Sequence, residues 1–132
     1  MQGILLFAHG ARADDWATPF RAVRDRLRAA RPDQAVELAF LEFMSPDFDG
    51  GVNLLCTQGA TRLLVCPLFL GSGGHVLREL PALIDAARAR RPELPIDCGP
   101  SLGEDPEMID AIARFCLRQL DRRTDGPLQD SG

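Results

Sequence analysis

The sequence contains no lysine and no tyrosine; all 15 of its basic residues are arginines. Without lysine there is no P-loop G-K-[ST] motif, no phosphate-binding lysine of the protein-kinase type, and no Schiff-base or pyridoxal chemistry. No apolar run approaches the ~18 residues that a membrane span needs. Met1 to Ala8 lacks a positive n-region and a cleavage site, so no signal peptide is expected and the cytoplasm is the expected location. The formal net charge of -4 provides no basic face of the kind that general nucleic-acid binding requires. The four cysteines, Cys56, Cys66, Cys98 and Cys116, form no C-x-x-C pair. Their apolar neighbours predict reduced, buried, hydrophobe-like thiols in preference to ligands or disulfides.

What is present is ordinary for one globular domain: 132 residues, 45% hydrophobic and 26% charged. Gly3 to Ala8 is a continuous apolar run ending at His9-Gly10. Trp16, Phe20, Val23 and Leu27 recur at steps of three and four, which predicts an amphipathic helix from Trp16 to Ala30, broken by Pro32-Asp33. Val36 to Leu41 reads as a second strand, followed by a weaker helix from Asp47 to Gln58 that Gly50-Gly51 dilutes. Arg62 to Pro67 is a third strand. The glycine-rich stretch Gly71 to Gly74 then leads to a helix from His75 to Arg91, in which Pro81 fits only near the first turn.

Pro95 to Cys98 is a short fourth strand. Asp105 is a good N-cap with Pro106 at the first helical position, opening a helix through Leu120. The domain is expected over residues 1–122, with residues 123–132 a disordered polar tail. Apolar strands alternating with helices predict an α/β fold, a four-stranded parallel sheet with helices on both faces.

Ligands of such sheets bind outside the carboxyl ends of the strands. That edge carries His9, Gly10 and Arg12 after the first strand, Glu42 after the second, and Leu70, Gly71, Ser72, Gly73, Gly74 and His75 after the third. Both histidines of the chain therefore fall there. Histidine is the commonest metal ligand and the natural acid or base near neutrality. Taken singly, His9 could instead cap a helix and His75 could bond a loop carbonyl. Glu79, four residues after His75, shares its helix face or is a solvated surface carboxylate. Glu42, between Leu41 and Phe43, lies in an apolar setting or points to solvent. The glycine stretch does not match G-x-G-x-x-G and follows the third strand, so no nucleotide is expected.

Two strings go further: Phe7-Ala8-His9-Gly10-Ala11-Arg12, and Val65-Cys66-Pro67-Leu68-Phe69-Leu70-Gly71-Ser72-Gly73-Gly74-His75-Val76-Leu77-Arg78-Glu79-Leu80-Pro81. With Phe40-Leu41-Glu42 ahead of Pro46 between them, the chain resembles the small CbiX-type sirohydrochlorin chelatases, ATP-independent class II chelatases, from about Gly3 to Arg118. The commoner family form has Ser where Ala11 stands.

The resemblance implies insertion of Co²⁺, Fe²⁺ or, as in some archaeal relatives, Ni²⁺ into a sirohydrochlorin-type tetrapyrrole. His9 and His75 match the family's metal-binding histidines, and His9 its proposed proton acceptor. Glu42 and the Leu70–Gly74 loop fall where the macrocycle is contacted; for a substrate rich in carboxylates Arg12 is a candidate anchor, Arg78 is either a second anchor or a plain surface residue, and Glu79 is a candidate proton relay. Larger relatives hold two such domains around one cleft, so a homodimer is expected. The alternative from another class is a metal or tetrapyrrole carrier without catalysis; a flavodoxin-like nucleotide module is a third.

Overall fold

The computed structural model describes residues 1–71 and 74–124, apart from the side chains of residues 74–77 and 124. Four strands, β1 (Gln2–Ala8), β2 (Ala35–Phe40), β3 (Arg62–Pro67) and β4 (Ile96–Cys98), form one sheet in the order β2-β1-β3-β4. Every pairing is parallel. β1 is therefore central, and its burial follows: Leu5, Phe7 and Ala8 have no exposed surface. Continuous apolar runs are the signature of strands covered on both faces, which is why the strands were legible despite lacking alternation.

One face of the sheet carries α2 (Phe48–Thr57) and α3 (Gly74–Arg90). Phe7 anchors this larger core, with its ring edge-on to Phe48 at 5.4 Å and to Phe69 at 5.9 Å. Gly50-Gly51 does more than dilute α2. A Cβ at Gly51 would sit 2.6 Å from Leu5 Cδ1 and 3.0 Å from Ala39 Cβ, so the glycine lets the helix approach the sheet. Asp47 starts α2 by accepting a hydrogen bond from the Gly50 amide at 2.8 Å.

The other face carries α1 (Thr18–Ala30), with Phe20 and Leu27 packed beside Leu6, Val36, Leu38 and Phe40. The helix expected from Trp16 begins later, because a 3₁₀ turn spans Asp14–Ala17 and Pro19 occupies the first turn of α1. Proline's missing N–H suits that place. The last helix, α4 (Pro106–Thr124), starts as expected, with Asp105 Oδ1 accepting from the Glu107 amide at 3.3 Å. It runs to Thr124, two residues beyond the boundary placed at 122, and residues 125–132 lie outside the described residues.

Two expectations are corrected. Pro81 sits in the interior of α3, not near its first turn. An interior proline costs about 3 kcal/mol through a lost hydrogen bond and a clash with the preceding turn. Burial of Leu80, Ile84 and Ala87 against the sheet, worth roughly 1.5–3 kcal/mol per large side chain, outweighs it. The cysteines are free, but none is buried: Cys56 and Cys66 are half-buried, and Cys98 and Cys116 are exposed. Cys116 is exposed because no residue of α4 from Pro106 to Arg123 is buried; among the described residues the main contact of this helix is with a 3₁₀ turn, Leu102–Glu104. Among the described residues no helix is long and apolar enough to cross a membrane.

Candidate metal and macrocycle site

Parallel pairing of β1 with β2 continues past both strands. The Leu41 amide donates to the Ala8 carbonyl at 2.9 Å, and the Glu42 amide donates to the His9 carbonyl at 3.1 Å. Two residues separated by 33 positions are thereby set side by side, and their side chains meet: His9 Nε2 lies 2.9 Å from Glu42 Oε1. Each of these side chains is 43% exposed, so the pair is held by backbone but open to an incoming ion. The neutral histidine donates from Nε2 only as the Nε2–H tautomer, with Nδ1 then left as the acceptor.

Gly10 makes this approach possible. Its φ is +94°, and a Cβ there would lie 1.9 Å from the Glu42 carbonyl oxygen. No other residue fits that position without moving the 41–44 segment. The turn that follows is tight: the Met44 amide donates to the Glu42 carbonyl at 2.8 Å, with Phe43 between them at φ 66°. A bulky residue at positive φ is uncommon and costs of order 1 kcal/mol or more. The conformation turns Phe43 outward, 57% exposed, where the Arg12 guanidinium stands 4.7 Å from its ring centroid. Phe43 is the site-edge residue that sequence reading missed; its one signal was an aromatic side chain next to Glu42, between the end of the second strand and Pro46.

The third strand brings the other wall. The Leu68 amide donates to the Phe7 carbonyl at 2.8 Å, carrying the chain from β3 along the same edge of the sheet. Leu70 then turns out to solvent, 61% exposed, and a Cβ at Gly71 would meet nothing within 4 Å. The Gly103 amide donates to the Phe69 carbonyl at 3.0 Å, and a Cβ on Gly103 would fall 1.8 Å from the Leu70 carbonyl oxygen. The Leu70 loop is thus braced from below by the turn that precedes α4.

His75 lies in the first turn of α3, and Gly74 opens that helix; their side-chain positions lie outside the described residues, as do Ser72 and Gly73 altogether. Arg78 is exposed and Glu79 half-buried on the next turns of α3. The structure therefore brings together His9, Glu42, Arg12 and Phe43, and places Leu70, Gly71 and the start of α3 after the adjacent strand. Among the described residues no group of three or more His, Cys, Asp or Glu side chains is positioned to hold a metal ion. Open sites that keep positions for water and substrate have fewer protein ligands than closed structural ones.

The Arg12–Phe43 pair and exposed Leu70 give the edge an apolar rim with a cation on it, suited to a flat ligand bearing carboxylates. Residues 3–117 match the CbiX family model. The sirohydrochlorin ferrochelatase of Priestia megaterium is 29% identical over 126 residues, which cover 95% of this chain and 47% of that protein. The sirohydrochlorin cobaltochelatase of Saccharolobus islandicus (strain L.S.2.15 / Lassen #1) is 32% identical over 84 residues, 64% of either chain. The chain thus spans about half to two thirds of the length of the curated relatives it matches. The crystal structure of a CbiX protein from Marinobacter aquaeolei VT8 superimposes with a TM-score of 0.80 at 28% identity, covering 92% of this chain and 99% of that one. A family match that runs through every strand and both histidine-bearing segments, joined to that shared architecture, makes the chain a member of the CbiX family.

Proposed function

We propose that the chain is an ATP-independent chelatase that inserts a divalent metal, Co²⁺ or Fe²⁺, into sirohydrochlorin, with the metal as substrate. The observation that carries this reading is the 2.9 Å separation of His9 Nε2 and Glu42 Oε1 at the carboxyl edge of the central strands. Two ligand atoms each ~2.1 Å from one ion, at right angles to each other, sit roughly 3.0 Å apart. The pair is therefore spaced to share either a proton or a metal ion. Sharing one excludes the other, which is what insertion needs.

Replacing two pyrrole protons with a divalent ion leaves the macrocycle's charge unchanged but releases two protons. His9 and Glu42 give up the ion and become free to accept protons in the same act. Neutral imidazole, with an ordinary pKa of ~6.5, binds divalent first-row ions and takes up a proton near neutrality. His75, at the start of α3, is proposed as a further ligand and Glu79 as a relay toward it. Phe43 and the Leu70–Gly74 loop are assigned to the macrocycle faces, and Arg12 to a peripheral carboxylate. Such a site needs no nucleotide.

The exposure of the His9–Glu42 pair, 43% for each side chain, supports a two-copy assembly in which a second chain supplies the opposite wall of the cleft. Free thiols accord with a reducing compartment, the cytoplasm.

The test is sirohydrochlorin absorbance with Co²⁺ or Fe²⁺ and the His9→Ala and His75→Ala variants, each checked for fold by circular dichroism. Insertion should fall by about two orders of magnitude or more in either variant. Turnover unchanged in both, or wild-type insertion no faster than the spontaneous rate, overturns the reading; the second result favours a carrier.

A further inference from the structure

The chain builds its rim twice. Arg28, Arg31 and Pro32 recur 60 residues on as Arg88, Arg91 and Pro92, and the local structure recurs with them. The Arg31 amide donates to the Leu27 carbonyl at 2.9 Å and the Gln34 amide to the Arg31 carbonyl at 3.0 Å. The Arg91 and Leu94 amides donate in the same way to Ala87 and Arg91, each at 3.0 Å. Arg28 Nε donates to the Val36 carbonyl at 3.1 Å, and Arg88 Nε to the Ile96 carbonyl at 3.2 Å. The unit β1-α1-β2 thus has a counterpart in β3-α3-β4.

Each unit closes with a contact between the segments that follow its two strands. In the first, the Glu42 amide donates to the His9 carbonyl, and Gly10 lets the Glu42 carbonyl lie close. In the second, the Gly103 amide donates to the carbonyl of Phe69, the residue 60 positions beyond His9. A Cβ on Gly103 would meet the Leu70 carbonyl oxygen at 1.8 Å, its carbon at 2.7 Å and the Leu70 Cα at 3.0 Å. One side of that contact is firmly held. The turn around Gly103 is closed by the Glu104 amide on the Ser101 carbonyl at 2.9 Å, and Phe69 is buried edge-on to Phe7. The other side is free to give: Leu70 is exposed, and Gly71 faces open space. A side chain at position 103 would therefore displace the Leu70 loop.

We propose that Gly103 is a positioning residue for the macrocycle: its bare Cα sets where the Leu70 loop stands over the sheet edge, as Gly10 sets Glu42 against His9. The atoms nearest Gly103 all belong to Leu70, and those nearest Gly10 belong to Glu42 and Phe40. Each glycine acts on its own wall, so the seat of the macrocycle and the seat of the metal are adjusted separately. The proposal rests on the chelatase reading above for the ligand, and adds which residue sets its seat.

Gly103→Ala, Leu70→Ala and the double variant are compared with the wild type by sirohydrochlorin absorbance, and Co²⁺ binding to the protein alone is measured by calorimetry. Gly103→Ala should raise the KM for sirohydrochlorin about tenfold or more, with kcat within about threefold and Co²⁺ affinity within about twofold of the wild type. The double variant should be little worse than the poorer single one, because both changes act through one loop. An unchanged KM, a Co²⁺ affinity that falls in step with it, or single effects that multiply in the double variant overturns the proposal and leaves the chelatase reading standing. A wild type that neither binds nor metallates sirohydrochlorin overturns both. Should Gly103→Ala fail to fold, amide exchange in the wild type decides. Sirohydrochlorin should slow exchange at the Gly103 amide by about threefold or more, and Co²⁺ alone should not; no slowing by sirohydrochlorin, or equal slowing by both, overturns the proposal.

Discussion

Glu42 holds His9 twice: its amide donates to the His9 carbonyl at 3.1 Å, and its carboxylate Oε1 lies 2.9 Å from His9 Nε2. The first bond belongs to the sheet edge and fixes the two Cα positions. The second belongs to the side chains and can be exchanged for other partners. Removing the carboxylate charge should therefore leave the scaffold intact. Glu42→Gln is expected to change unfolding stability by less than about 1 kcal/mol, as for other solvent-exposed pairs, while slowing metal insertion by roughly a hundredfold. Urea unfolding and the absorbance assay check the two halves. A large stability loss with normal insertion would show the carboxylate to be structural.

Gly10 and Gly71 offer a graded comparison. At Gly10 an added methyl meets both a positive φ and the Glu42 carbonyl oxygen at 1.9 Å. Gly10→Ala should cost about 2–4 kcal/mol, because the 41–44 segment must move to relieve the overlap. At Gly71 the same methyl meets open space, and Gly71→Ala should lie within ~0.5 kcal/mol of the wild type. Equal effects in denaturant titrations would contradict the close approach described for Gly10.

Phe43 combines exposure with an unfavourable φ of 66°. Phe43→Gly removes the steric penalty at little cost in burial, and should raise stability by up to about 1 kcal/mol. It also removes the ring beneath Arg12, so the KM for sirohydrochlorin should rise roughly tenfold if that ring covers the macrocycle. A more stable protein with a weaker grip is the expected trade. A less stable one would mean that the ring supports the fold.

The alkaline limb of the stability curve should report on thiols almost alone, because lysine and tyrosine are absent. Burial raises the Cys66 thiol above its ordinary value of 9.0, with the nearby Cys98 thiol adding to the shift. A group whose folded value is raised contributes stability that is fully present below the unfolded value and lost as pH climbs through the folded one. Stability should accordingly decline above pH 9.0, and Cys66→Ala should flatten that decline. Midpoints of urea unfolding between neutrality and pH ~10.5 would measure it; identical slopes in both proteins would remove Cys66 as the cause.

The strands were legible because burial on both faces makes each a short, continuous apolar run, and Arg62–Pro67 emerged with the bounds read from the sequence. Strand-edge reasoning likewise placed His9, Glu42 and Leu70 on one rim, since that rule depends only on strand order in the chain. The meeting of His9 with Glu42 was not legible. It depends on β1 and β2 being neighbours in register, with Ala8 opposite Phe40, and no local pattern encodes register between distant parallel strands. Pro81 misled for a related reason: propensity speaks for the isolated helix, whereas Leu80 and Ile84 bind this one to the sheet. The exposure of Cys116 escaped notice because an apolar stripe on a helix says that something covers it, not what.

The central place of β1 also governs the order in which the molecule can come together. Its partners are remote in the chain: Gly3 pairs with Ala35 on one side, and Gln2 pairs with Arg62 on the other. Both pairings are parallel and must wait for a crossover helix to form and close, which makes them slow contacts in folding. Glu42 reaches His9 only once β1 and β2 are paired, so that side of the rim waits for the crossover through α1 to close. A nascent or half-folded chain in which that pairing is open holds His9 and Glu42 apart and takes no ion between them, and metal affinity at this position should appear in a refolding trace only with the phase that joins β1 to β2.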